Sequence, residues 1–313
     1  MQAVVLETFG SSAGFNLVER PIPRARPGWS VIKNQAFGLN RAELYTRLGQ
    51  SPDVSLPRVL GIEAVGEIEE TVDGKLPVGT KVMTLMGGLG RQFDGSYEEY
   101  LAVPNDQIYP LTVTDTWEQL ATIPESGYTA YGSLKVANIK AGQKVLVRGG
   151  TSTVGLATLS FLRFLETEVT ATSRQIKRAS DLLDLGADYF VLEKAGKLQT
   201  EVTYDAIIDF VGVKTLRDSL QHLKPGGVHV VTGGLANTWE LPNFSPFEIP
   251  SGAYLSNFQS TVVDVNLLSE LQTFITQHQL RFKIGAVFSL SDMKHAQDVL
   301  QAGDVLGKLV VRV

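Results

Sequence analysis

The run KVLVRGGTSTVGL, residues 144–156, decides the fold. An apolar stretch from Val145 to Val147 leads into paired glycines, then hydroxyl residues, a third glycine and more apolar residues. This is the pattern of a strand, a tight turn and the start of a helix. A dinucleotide-binding turn needs a glycine for the bend, a small residue where backbone meets pyrophosphate, and a glycine where helix and strand cross closely. Those places fall to Gly150, Ser152 and Gly155. The amides of Thr153, Val154 and Gly155 are then expected to face an anion at the positive end of the helix dipole, with Thr151 and Ser152 adding hydroxyl donors. The same residues also suit a plain strand-to-helix turn in which Ser152 or Thr153 only caps the helix. Ser152 is not a nucleophile elbow, because that motif needs glycine at position 154, which is valine.

The flanking sequence extends the pattern. From 119 to 250, apolar strands alternate with helical runs: KVLVRGG, TVGLATLSFLRFLE, EVTATS, QIKRASDLLDLG, DYFVLE, YDAIIDFVG, KTLRDSLQHLKPGG and VHVVTGG. Near-continuous apolar strands require cover on both faces, so an α/β fold with a doubly wound parallel sheet is predicted. Residues 1–118 read instead as short extended runs punctuated by Pro and Gly, a β-rich unit. The tail, 251–313, carries two amphipathic helices, VNLLSELQTFITQHQ and SDMKHAQDVLQAG, and a last strand, GKLVVRV. It is too short to fold alone and is expected to pack back on residues 1–118, making that domain discontinuous. A second glycine-rich run, GGLGRQ at 87–92, is followed by no helical pattern and reads as a loop.

A length of 313 residues fits about two domains. Hydrophobic residues at 43% and charged residues at 19% describe an ordinary globular protein. The formal charge of −5 gives no basic field for a nucleic acid, so a small-molecule ligand is the expected partner. The start, MQAVVLETFG, lacks a basic leader with an apolar core. No run reaches the roughly 18 apolar residues of a membrane span, so no membrane partner and a cytoplasmic location are expected. The absence of cysteine removes disulfides, thiol nucleophiles and cysteine-ligated zinc together.

About 20 residues beyond the turn, an NAD site places an acidic residue on the ribose, whereas an NADP site needs cations and hydroxyls for the 2′-phosphate. Here the sequence is TSRQIKR. Ser173, Arg174, Lys177 and Arg178 crowd the start of a helix, where the dipole disfavours positive charge, and NADPH is the expected cofactor. The other use of such a cluster is a solvated basic helix face.

Taken in order, GLNRAELY, LPRVLGIEAVGEI, DGSYEEYLAVP, GYTAYGSL, GQKVLVRGGTSTVGLA, LGAD, YDAIIDFVG, LKPGGVHVVTGG and GDVLGKLVVRV span nearly the whole chain. On these motifs it resembles the medium-chain dehydrogenase/reductases, in particular the zinc-independent quinone oxidoreductase, or zeta-crystallin-like, branch. The resemblance implies a discontinuous β-rich GroES-like catalytic domain (1–118 and 251–313) around a Rossmann NADPH-binding domain (119–250), with the active site in the cleft between them. Zinc-dependent members carry cysteine and histidine where this chain has Asn40 and Ile62, so no metal is expected. The histidines at 222, 229, 278 and 295 are widely scattered, are expected to lack close carboxylate partners, and read as surface or packing residues. STVG stands where relatives often have GGVG, and Glu43 where they often carry aspartate.

By the same resemblance Asn40 and Tyr45 line the cleft, Asn40 orienting substrate or nicotinamide and Tyr45 donating a hydrogen bond or proton. The other use of Tyr45 is packing under Leu44 and Leu48. Thr129, Phe210, Gly212, Gly233 and Gly234 match positions that border the cofactor, the glycines where backbone approaches a ligand. Without a metal to polarise a carbonyl, the acceptor must be electron-poor in its own right, a quinone or an α,β-unsaturated carbonyl. The alternatives are an enoyl-thioester reductase on the same fold and a non-catalytic NADPH-binding or sensing protein. The resemblance also implies a homodimer.

Overall fold

The computed structural model describes residues 1–52 and 54–313. The chain forms two compact units, Met1–Glu125 with Ser260–Val313, and Ser126–Gln259. The expected divisions at 118/119 and 250/251 therefore move to 125/126 and 259/260. Pairing explains both shifts. The Glu118 carboxylate meets Arg312 at 3.2 Å and the Glu125 amide donates to Glu63 at 2.7 Å, which keeps 119–125 with the first unit. At the other end, the strand Tyr254–Asn257 pairs parallel with Leu223–Val231, Tyr254 opposite Val228, and so belongs to the second unit. Its four residues, YLSN, carry neither an apolar run nor an alternation long enough to announce a strand.

The unit Ser126–Gln259 is built on a seven-stranded sheet. Its order is Lys197–Leu198, Tyr189–Lys194, Glu168–Ser173, Lys144–Arg148, Tyr204–Asp209, Leu223–Val231 and Tyr254–Asn257. Every neighbouring pair is parallel except the short hairpin of the first two strands. The chain steps outward from Lys144–Arg148 on one side, then restarts beside it at Tyr204–Asp209. That reversal is the topological switch of a doubly wound Rossmann sheet. Val145, Leu146 and Val147 are all fully buried, as are Ala206, Ile207 and Ile208. Successive strand residues point to opposite faces, so both faces are covered, and each of the larger side chains contributes about 1.5–3 kcal/mol. The run KTLRDSLQHLKPGG, expected to be helical throughout, forms a helix only over Leu216–Gln221. Pro225 and the following glycines cannot prolong it and fall instead in the strand Leu223–Val231.

In the other unit a sheet runs Ile284–Ser289, Lys308–Arg312, Trp29–Gly38, Glu63–Glu70, Lys81–Leu85 and Tyr109–Pro110, with Tyr100–Pro104 also paired to Trp29–Gly38. A smaller sheet joins Phe15–Glu19, Gln2–Leu6 and Arg58–Val59. The last strand of the chain pairs antiparallel with Trp29–Gly38, Val310 opposite Gly38, so the C-terminal segment completes the N-terminal sheet. Phe15, Phe37, Tyr97, Met293 and Val311 fill the adjoining core. Gly87–Gln92 forms turns and no helix. No helix among the described residues is long and apolar enough to cross a membrane.

Candidate active site

The glycine-bearing turn follows the strand Lys144–Arg148 and leads into the helix Thr153–Leu162. The left-handed bend is made by Gly149 (φ 79), one residue earlier than the expected Gly150. Its amide donates to Thr172 Oγ1 at 3.1 Å and the Gly150 amide to the Thr172 carbonyl at 3.2 Å, which ties the turn to the neighbouring strand. A Cβ at Gly155 would overlap the Gly149 carbonyl oxygen, so only glycine fits where helix and turn cross. Ser152 is the N-cap. Its hydroxyl accepts the Gly155 amide at 3.0 Å and donates to the Gly149 carbonyl at 2.8 Å. The Gly155 amide, expected from the sequence to face an anion, is instead taken up by the Ser152 hydroxyl. The amides of Thr153 and Val154, with the half-buried Thr151, remain at the open end of the helix.

At the end of the next strand, Ser173 is buried and its hydroxyl accepts the Gln175 amide at 3.1 Å. Arg174 and Lys177 are exposed. Arg178 is drawn aside, pairing with Asp181 at 3.1 Å in the first turn of the helix Ala179–Asp184. Part of the anionic compensation expected for this basic cluster thus comes from the chain itself.

Phe210 and Gly212 follow the strand Tyr204–Asp209, and Gly233 and Gly234 follow Leu223–Val231. All four, with the turn and the Ser173 segment, lie beyond the carboxyl ends of parallel strands. Thr129 is buried in the helix Tyr128–Ala137, where its carbonyl accepts the Ser133 hydroxyl, which in turn contacts Thr232 Oγ1 at 2.8 Å. The glycines here meet protein. Gly212 has φ 93, and a Cβ there would overlap the Gly233 carbonyl, so these two loops press backbone to backbone. A Cβ at Gly234 would come within 2.5 Å of the Trp239 ring.

Beneath these loops lies a polar centre that the linear sequence did not disclose. Asp209 Oδ1 accepts the amides of Val211 and Gly212, both at 2.9 Å, and Oδ2 accepts the hydroxyls of Thr215 and Ser219. His229 Nε2 lies 3.3 Å from the same Oδ2, with neither side chain exposed. This corrects the expectation that the histidines lack carboxylate partners. Parallel register sets His229 opposite Ile207, two residues from Asp209, so both side chains share a face across 20 positions of sequence. Burial alone would raise the Asp209 carboxyl. The bond and charge of His229, the Arg148 guanidinium and the Gly212 amide outweigh it and hold the group below the usual carboxylate range. Arg148, fully buried, reaches Glu193 at 3.0 Å, Asp218 at 2.8 Å and the Gly196 carbonyl at 2.7 Å. The one available signal was a charge ending each of two apolar strands, in KVLVR and AIID.

In the other unit, Asn40 precedes the helix Arg41–Arg47, on which Tyr45 is half-buried. The Asn40 carboxamide, expected to orient substrate or nicotinamide, is bonded to two buried side chains of its own unit. Its Nδ2 donates to Glu63 Oε1 at 2.8 Å and its Oδ1 accepts the Lys308 ammonium at 2.7 Å. Lys308 also meets Glu63 at 2.6 Å. Glu43 Oε2 accepts the Asn40 amide at 2.8 Å and Oε1 the Ile62 amide at 3.3 Å, so one carboxyl pins both segments. Burial pushes Glu43 up to about 7, helped by the Glu63 charge and opposed by Lys308 and by the backbone amides of Glu43 itself and Ile62. Glu63 and Lys308 escaped sequence reasoning because 245 positions separate them.

Residues 26–113 match the family model described as alcohol dehydrogenase GroES-like domain, and residues 185–311 the one described as zinc-binding dehydrogenase. Together the two span well over half of the chain. The chain belongs to the medium-chain dehydrogenase/reductase family. Among such proteins it is 27% identical to a probable quinone oxidoreductase of Schizosaccharomyces pombe, over 96% of this chain and 94% of that one. It is 25% identical to an acryloyl-coenzyme A reductase of Metallosphaera sedula, over 76% of this chain and 78% of that one. A mycobacterial protein solved in complex with NADPH superposes with TM-score 0.85 at 25% identity, covering all of both chains. Within this family the GroES-like fold belongs to the unit containing Asn40, and the Rossmann sheet to the unit containing the glycine turn.

Proposed function

We propose that this medium-chain reductase transfers hydride from NADPH to a quinone or an α,β-unsaturated carbonyl without the help of a metal. The observation that carries the reading is the Lys308–Asn40 bond of 2.7 Å. In zinc-dependent relatives the positions of Asn40 and Ile62 hold metal ligands. Here one is a carboxamide already bound to an ammonium, and the other an apolar side chain 3% exposed. An ammonium at that distance repels a divalent cation, and isoleucine offers it no donor, so this site does not fit zinc.

The turn does fit a dinucleotide. Thr151 and the open amides of Thr153 and Val154 would hold the pyrophosphate, and Arg174 with Lys177 would hold a 2′-phosphate. Phe210, Gly212, Gly233, Gly234 and Thr129 would border the nicotinamide half. The bound cofactor supplies hydride, and an acceptor that spreads the incoming charge over its own conjugated system needs only a hydrogen bond from the protein, for which Tyr45 is the donor. The resemblance to an acryloyl-coenzyme A reductase supports an enoyl thioester as the second acceptor class. The cytoplasm and a homodimer complete the reading. The second rests on the family and on Tyr254–Asn257, which ends one side of the sheet with Tyr254 64% exposed.

The test is loss of NADPH absorbance with small quinones, enones and crotonyl-type thioesters, before and after exhaustive chelation. Turnover insensitive to chelation is expected. Turnover that requires added zinc overturns the reading, as does absence of turnover with all three classes.

A further inference from the structure

Lys308 opens the last strand and is 2% exposed, and its partner Glu63 is fully buried. With Asn40 they close a ring of three contacts: ammonium to carboxylate, ammonium to carboxamide oxygen, and carboxamide nitrogen to the same carboxylate oxygen. Glu63 Oε2 is held from behind by the Glu125 amide. A Cβ at Gly38 would overlap Lys308 Cε, so the strand Trp29–Gly38 ends in the one residue that lets the lysine pass. The Glu43 carboxyl, on the helix Arg41–Arg47, is a second acidic group that interacts with this ammonium.

A buried ion pair is weak evidence for stability, since apolar residues of similar volume serve as well or better. This one does something apolar residues do not. It reads the two ends of the Asn40 carboxamide: a flipped amide would set its NH2 against the ammonium. Asn40 in turn sets the start of a helix of only seven residues, too short to hold itself without outside anchors.

We propose that Lys308 is a positioning residue of the candidate site, acting through Asn40 to fix the origin of the Arg41–Arg47 helix and so the placement of Tyr45. The proposal rests on the reading of Tyr45 as the residue facing the acceptor. Lys308→Arg keeps the charge with altered geometry, and the double variant Lys308→Met/Glu63→Gln removes both charges without stranding either. In the double variant we expect NADPH affinity near wild type. We also expect kcat reduced about tenfold or more, and faster amide exchange confined to residues 40–47, with Lys308→Arg intermediate. Wild-type kcat and exchange in the double variant overturn the proposal. So does a double variant that fails to fold, which would make the ring purely structural. If wild-type protein turns over no acceptor, the functional reading fails by itself. The exchange measurement then still decides whether Lys308 fixes the helix.

Discussion

The Ser152 hydroxyl accepts the Gly155 amide at 3.0 Å, so the residue standing where relatives often have glycine spends its side chain on capping its own helix. Replacing Ser152 with Ala removes the cap and should lower the stability of the Ser126–Gln259 unit by about 1 kcal/mol, whereas Ser152→Gly should cost only a few tenths. Ser152→Gly also frees the Gly155 amide for a phosphate and is expected to bind dinucleotide at least as tightly as wild type. Calorimetric melting and fluorescence titration check both. A large loss of affinity in Ser152→Gly would show that the hydroxyl itself holds the ligand.

Arg174 and Lys177 are exposed, while Arg178 is held by Asp181. Changing Arg174 and Lys177 together to Ala should weaken NADPH by about tenfold or more and leave NADH nearly unchanged, because charge-assisted bonds to a phosphate contribute about 1.5–3 kcal/mol each. Changing Arg178 alone should matter less. Equal loss for both dinucleotides refutes the 2′-phosphate assignment.

Glu43 gives the first unit a pH dependence opposite to that of ordinary carboxylates. Unfolded, it releases its proton near 4.5; folded, it keeps it to about 7. The folded state therefore binds more protons across this window, and stability falls as pH rises through it, by up to about 3 kcal/mol from this residue. Glu43→Gln has no proton to lose. Its stability relative to wild type should climb between pH 5 and pH 8, measured by urea unfolding at each pH. Two profiles that stay parallel would show that Glu43 does not titrate in this range.

Arg148 is surrounded by Glu193 and Asp218 with no exposure of its own. Arg148→Met leaves carboxylates without their counter-charge and should cost about 3–5 kcal/mol. Asp209→Asn is predicted to act more locally. With its charge gone, its grip on the Val211 and Gly212 amides slackens, and amide exchange there should rise before global unfolding. If exchange at 210–212 is unchanged, the loop is held by backbone packing against Gly233 and not by Asp209.

The sequence by itself determined the doubly wound sheet, the place of the turn and the family. Each is written in contiguous residues: an apolar strand, glycines at fixed spacing, and motifs in a fixed order. It also excluded cysteine ligands and thiol chemistry, since composition alone decides that. Tertiary structure decided which polar groups meet. It turned the Asn40 carboxamide inward to Lys308 and Glu63, spent Ser152 on a cap, joined Asp209 to His229, and gave Tyr254–Asn257 to the Rossmann sheet. Strand register and buried charge pairing bring together residues far apart in the chain, and neither leaves a periodic trace in the sequence.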